Sequence, residues 1–139
     1  MARTAAQASL RLIALALPSI PGSVPVARLH VRAALGLHGL AEYADDAEVI
    51  ISELVTNAVR HACDNGSMTI GVTLTAAESP AAVTVAVSDA SPHGPIRCET
   101  AAGSEQGRGL QIVQALSAHW GWRPEDGGKA VFAVLAREA

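Results

Sequence analysis

The sequence is poor in aromatic residues and in charge, and it lacks a long apolar run. Aromatic side chains make up 3% of the 139 residues although half of the chain is hydrophobic, so the core has to be built from Ala, Val, Leu and Ile. No stretch approaches the roughly 18 apolar residues of a membrane span, and no membrane association is expected. The net charge of −3 excludes a broadly basic surface for duplex DNA, so no direct nucleic-acid partner is expected.

Cysteine is also scarce. Cys63 and Cys98 share no CxxC spacing, which argues against a zinc site. Two free thiols in a cytoplasmic protein are the favoured interpretation, and one disulfide stays open. The apolar residues 12–17 have the character of a weak signal peptide, but prolines interrupt the run at positions 18 and 21. We therefore expect a first strand after a flexible tail over residues 1–9, and a cytoplasmic location.

The hydrophobic pattern predicts helices and strands that alternate within a single domain over residues 1–139. Strands are predicted at Leu10–Leu17, from Met68 to Thr75, from Val83 to Ser88 and at Val131–Leu135. Helices are predicted from an N-capping Ser23 to Leu35, from Asp45 to just before Asn65, and from Gly109 to near Trp120. Residues 90–107 show no periodicity and are predicted to form a long loop. This order indicates an α+β fold of two layers, with the middle strands paired as an antiparallel hairpin.

The strongest predicted helix carries a row of three polar residues. Glu53, Asn57 and His61 are spaced by four, so they line one flank while an apolar stripe occupies the other. An amide oxygen can bind Mg²⁺, a carboxylate can accept a proton, and an imidazole can donate to a phosphate. An ordinary solvated helix face explains the same row, and the segment alone does not decide between the two.

Two further motifs follow along the chain. Asp89 ends a valine-rich strand, where its carboxylate can accept a hydrogen bond from a ligand amino group or cap a turn. Gly107-Arg108-Gly109-Leu110 enters a helix, and glycines at a helix N-terminus allow the backbone to approach a phosphate. A lone GxG is a weak signal, and it matches neither a P-loop nor a GxGxxG fingerprint.

Taken in order, these motifs resemble the N, G1 and G2 boxes of the GHKL ATPase superfamily. The likeness is carried by the segment from Glu53 to His61, by Asp89, Ser91 and Pro95, and by Gly107 to Leu110. It extends over roughly residues 20–137 and is strongest to the small stand-alone ATP-binding proteins of the anti-sigma-factor serine/threonine kinase type. It implies a Bergerat sandwich, a mixed and mostly antiparallel sheet with helices on one face.

The resemblance also implies ligands and roles. ATP and Mg²⁺ are the expected cofactors, with Asn57 holding the metal, Asp89 receiving the adenine amino group and Glu53 acting as general base. The family pattern also places Ser91, Gly107, Gly109 and Leu110 at the nucleotide, with His61 and Arg108 as weaker phosphate contacts. Residues 94–106 would form a lid that is mobile without nucleotide.

The chain departs from the family pattern at two positions. Ser91 stands where the superfamily usually has glycine, although the DxSxxxP form of the anti-sigma type is kept. Ala130 stands where the last strand usually carries threonine, which removes a hydroxyl that would help to hold adenine. Asp89→Asn is expected to weaken adenine binding and to spare the fold.

The likeness implies a kinase that binds a sigma factor and phosphorylates an anti-sigma-factor antagonist. The 139 residues show neither a phospho-acceptor histidine helix pair nor a second domain, so we expect the domain to act by binding partner proteins. Apolar positions on the first helix permit a homodimer. A nucleotide-dependent binding switch without phosphotransfer is the alternative, and a small domain without any ligand is a third possibility.

Overall fold

The computed structural model of the protein describes residues 9–65, 69–78, 81–89, 103–125 and 127–136. The side chains of residues 62–65 and 103–108 are not described. The elements are β1 (Ser9–Pro18), α1 (Ser23–Leu37), a 3₁₀ turn (Ala41–Tyr43), α2 (Ala44–Asn65), β2 (Thr69–Glu78), β3 (Ala81–Asp89), α3 (Gly103–Leu116), β4 (His119–Glu125) and β5 (Gly128–Ala136).

The five described strands form one open sheet in the order β1-β2-β3-β5-β4. All four pairings are antiparallel, and β2 and β3 form the predicted hairpin. The α+β sandwich expected from the sequence is confirmed. The register between β3 and β5 pairs Val87 with Val131 and Asp89 with Lys129, so the two strands present matching residues to the same face of the sheet.

The core lies between one face of the sheet and the helices. Alternate residues of β3 and β5 point into it, because side chains of a strand alternate between the two faces. Helix α2 contributes the apolar stripe that the sequence predicts. Its fully buried members include Ala47, Ile50, Ile51 and Val55. Among the described helices, none is both long and apolar enough to cross a bilayer.

The start of α1 differs from the expected cap. Ser23 is the first helical residue and not the N-cap, which is Gly22 and has no side chain to offer. The Ser23 hydroxyl instead donates a hydrogen bond to the carbonyl of Pro18 at 2.6 Å, and the residue is 2% exposed. Ser23 therefore ties the helix to the end of β1 and does not cap its own helix.

The C-terminal third contains the largest difference from the sequence expectation. Helix α3 begins at Gly103 and ends at Leu116, so the predicted helix from Gly109 to near Trp120 is wrong at both ends. Strand β4 follows, where no strand is predicted from the sequence. Trp120 and Trp122 are spaced by two, as in a strand, and Trp120 packs against the core. The two large rings pack beside β5, and this cross-strand packing favours a strand over a longer α3.

Several expectations lie outside the described residues. These are the flexible tail, apart from Ser9 in β1, the greater part of the loop and lid at residues 90–102, and Cys98. The side chain of Cys63 is likewise not described. The last residues of the expected loop, 103–107, lie within α3.

Candidate functional site

Helix α2 holds the three polar residues predicted to act together. Glu53, Asn57 and His61 are all half-buried, while Leu54 and Ala58 beside them are buried. The row therefore borders the core and is not the fully solvated helix face that the sequence left open. Asn57 and His61 share a hollow with Asp89 and Leu110.

One part of that hollow is lined by a core-facing pair of β3 and β5. Asp89 and Lys129 are direct cross-strand partners. The Lys129 ammonium donates to both carboxylate oxygens of Asp89, with Nζ 3.1 Å from Oδ1 and 3.0 Å from Oδ2. The Lys129 side chain is 1% exposed and that of Asp89 is 4% exposed. Such an ion pair is held in a poorly hydrated environment, where charges interact strongly.

The hollow is small and mixed in character. Its volume of about 10 Å³ corresponds to a single water molecule. A nucleotide base does not fit inside it, so we expect the hollow to contact one edge of a base and no more. Its polar lining comes from Asn57, His61, Asp89 and Lys129, and its apolar lining includes Leu54, Val87, Leu110 and Val131.

Glu53 lies outside this hollow, at the contact between α2 and α3. A Cβ atom placed on Gly109 would come within 2.5 Å of Glu53 Oε1. The carboxylate therefore lies directly against the Gly109 backbone, in space that exists because this residue lacks a side chain. Glu53 and Asp89 consequently occupy different parts of the site, with Asn57 one helical turn from Glu53 and on the hollow.

The remaining predicted site residues are only partly described. Ser91 lies outside the described residues. Gly107 and Arg108 lie in α3, where the side chain of Arg108 is not described. Gly109 is buried in the same helix and Leu110 is half-buried. The structure thus brings together Glu53 with Gly109, and Asn57 and His61 with Asp89 and Leu110.

A family model for the histidine kinase-like ATPase domain matches residues 17–135. The chain belongs to this family. The matched range contains both ends of the site, from Glu53 to Lys129. No curated protein matches the chain.

Histidine kinase-like ATPase domains bind ATP, usually with Mg²⁺. The donor set of this chain fits such a ligand, because Asp89 offers an acceptor at the hollow and Asn57 a neutral oxygen suited to Mg²⁺. Within the described residues no three His, Cys, Asp or Glu side chains cluster as a metal site.

Sequence reasoning missed Lys129, although a signal was present. Lys129 begins the alternation Lys129, Val131, Ala133, Leu135, in which the other three members are core residues or pack on the core. A period of two therefore directs the lysine toward the same covered face.

The structure changes the expectation for Ala130, because this position faces away from the hollow. Ala130 pairs with Ser88 and lines a groove on the sheet face opposite to the one that carries Asp89 and Lys129. A hydroxyl at this position would not reach the hollow. The strand residue that does face Asp89 is Lys129.

Proposed function

We propose that this histidine kinase-like ATPase domain is an ATP-dependent serine/threonine protein kinase of the anti-sigma-factor type. In this proposal it binds a sigma factor and phosphorylates an anti-sigma-factor antagonist, and it acts in the cytoplasm. The observation that carries the proposal is the position of Glu53. Its carboxylate lies at the α2–α3 contact beside Gly109 and apart from the Asp89 hollow, which suits a group that serves the phosphate end.

Each residue then has a separate task. Asp89 accepts a hydrogen bond from the adenine amino group at the hollow, and Asn57 provides an oxygen to Mg²⁺. The bound ATP supplies the γ-phosphoryl group. Glu53 accepts the proton of the acceptor serine as the serine oxygen bonds to phosphorus and the bond to ADP breaks. General base catalysis of this kind typically contributes about 10²–10⁴ in rate.

The test is phosphotransfer by Glu53→Gln, which keeps the shape of the side chain and removes its basicity. The variant should bind ATP within a few-fold of wild type and lose most transfer of labelled phosphate to a panel of purified antagonist proteins. Glu48→Gln is the matched control on the same helix, because Glu48 pairs with Arg32 on the surface. Wild-type transfer by Glu53→Gln would remove Glu53 from the role of base.

A nucleotide-dependent binding switch is the second candidate. It is kept because Ser91 stands where the superfamily usually has glycine, and it needs the Asp89 hollow for the nucleotide but no proton transfer by Glu53. If wild-type protein binds ATP and transfers phosphate to none of the antagonists, the switch replaces the kinase.

A homodimer through α1 is proposed as well. Leu29 and Leu37 on this helix are 67% and 84% exposed. Sedimentation of wild type and Leu29→Glu tests the dimer. A monomeric mass for the wild-type protein would contradict it.

A further inference from the structure

Lys129 is an unusual residue for its position. It is the single lysine of the sequence, against nine arginines, and it is among the largest fully buried side chains of the described residues. Lysine is almost never fully buried unless it is paired, and arginine is the usual choice for buried ion pairs. Well-packed apolar residues in place of such a pair are often as stable or more stable. Stability alone therefore does not explain the pair.

The pair also lies where the proposed nucleotide site needs recognition groups. Asp89 and Lys129 follow Val87 and Val131 on the covered face of the sheet, and both line the hollow with Asn57. An ammonium has three N–H donors. Among the described residues, Asp89 is the one hydrogen-bond partner of Lys129 Nζ. Donor capacity is therefore left beside the carboxylate.

We infer that Lys129 is a second base-recognition residue, whose ammonium donates to N1 of adenine while Asp89 accepts from the 6-amino group. This inference rests on the proposed binding of ATP. The pairing edge of adenine presents a donor, the amino group, next to an acceptor, the ring nitrogen N1. Lys129 Nζ lies 3.0 Å from Asp89 Oδ2, so the protein presents an acceptor next to a donor and matches that edge.

The chemistry distinguishes adenine from close analogues. 1-Deaza-ATP carries C–H in place of N1, so it would leave the Lys129 ammonium without an acceptor. Purine riboside triphosphate lacks the amino group and would lose the contact with Asp89 instead. Guanine presents a carbonyl and an N–H in the reverse order, and it matches the pair only if the base is turned over.

Calorimetric titration of wild-type protein with ATP, 1-deaza-ATP, purine riboside triphosphate and GTP is the first test. Each adenine analogue should bind about 10- to 150-fold more weakly than ATP, the range for a hydrogen bond to a charged group. Equal affinity for ATP and 1-deaza-ATP overturns the role of Lys129 and leaves the ATP proposal standing. Tighter binding of GTP than of ATP also overturns it. Absence of binding by every nucleotide overturns both.

Lys129→Met provides the second test. The variant should bind ATP as weakly as wild type binds 1-deaza-ATP. It should bind 1-deaza-ATP with the same affinity as wild type does. An equal additional loss for both ligands shows that Lys129 acts only by supporting Asp89, and tighter ATP binding shows that Lys129 obstructs the base. Either outcome overturns the inference. Arg123→Met is the matched control, because Arg123 is the cross-strand partner of Ala130 and lines the groove on the opposite face of the sheet.

A spectroscopic readout avoids any variant that fails to fold. With one lysine in the sequence, ¹⁵Nζ labelling of lysine gives a single side-chain ammonium signal. ATP should shift that signal, and 1-deaza-ATP should leave it near its position in the free protein. An identical shift with both nucleotides contradicts a bond from Lys129 to N1.

Discussion

Removing one partner of the Asp89–Lys129 ion pair should destabilise the fold strongly. Removing both partners should cost less than the sum of the two single effects. Lys129→Met leaves a carboxylate that is 4% exposed without its ammonium, and Asp89→Asn leaves an ammonium that is 1% exposed facing a neutral amide. Breaking a buried pair by removing one partner typically costs about 3–5 kcal/mol. Asp89→Asn should lie at the lower end, because the amide oxygen still accepts one hydrogen bond.

These energies translate into a large thermal shift. Unfolding entropy of about 2.1 cal/mol/K per residue gives about 0.3 kcal/mol/K for this chain, so the single variants should lose about 10–17 °C in Tm. The double variant Asp89→Asn/Lys129→Met carries no buried charge at this position. It should be more stable than the sum of the single effects predicts, with a coupling energy of about 2–3 kcal/mol.

Urea unfolding of wild type, both single variants and the double variant measures this cycle. Circular dichroism and tryptophan fluorescence, to which the core-packed Trp120 contributes, serve as two probes of one transition. The exposed pair of Arg32 and Asp45, with side chains 51% and 92% exposed, is the matched control. Asp45→Asn should cost less than about 1 kcal/mol. Single effects below 1 kcal/mol that simply add would refute the reasoning.

Three further outcomes follow from the described contacts. Gly109→Ala should displace the Glu53 carboxylate, since its Cβ would lie 2.5 Å from Oε1. The variant should therefore have lower phosphotransfer without loss of stability. The control Gly36→Ala, whose Cβ would have no atom within 4 Å, should leave phosphotransfer unchanged and stabilise α1 by about 0.5–1 kcal/mol. Asn57→Ala should make ATP affinity nearly independent of Mg²⁺ in calorimetry, and an undiminished Mg²⁺ effect would contradict the metal role of Asn57. Leu35→Ala, at a fully buried position, should cost about 2–5 kcal/mol in urea unfolding, and a neutral effect would show that α1 does not pack on the core as described.

The sequence predicts those parts of the fold that rest on periodicity. The stripe of α2 and the alternation of β2 and β3 repeat over many residues, so local pattern and final burial agree. Strand β4 has seven residues, and the spacing of its two tryptophans fits a strand only because β4 pairs with the neighbouring β5. A short element that depends on a distant partner leaves a weak local pattern.

The candidate site shows the same division. The row from Glu53 to His61 follows from helical spacing within one element. The pairing of Asp89 with Lys129 joins residues 40 positions apart and depends on the register of β3 against β5, which no local pattern specifies. The register also changes an expectation from the sequence. Asp89→Asn was expected to spare the fold, and its buried ammonium partner now predicts a loss of stability.

The burial of the single lysine has a practical consequence for covalent chemistry. In the folded protein the Lys129 side chain is 1% exposed, so amine-reactive labels and crosslinkers should leave Lys129 intact. Acylation of Lys129 would then report opening of the β3–β5 end of the sheet. The rate at which an acyl group appears on Lys129, read by mass spectrometry of its peptide, would measure how often that end of the molecule opens under conditions where the protein remains native.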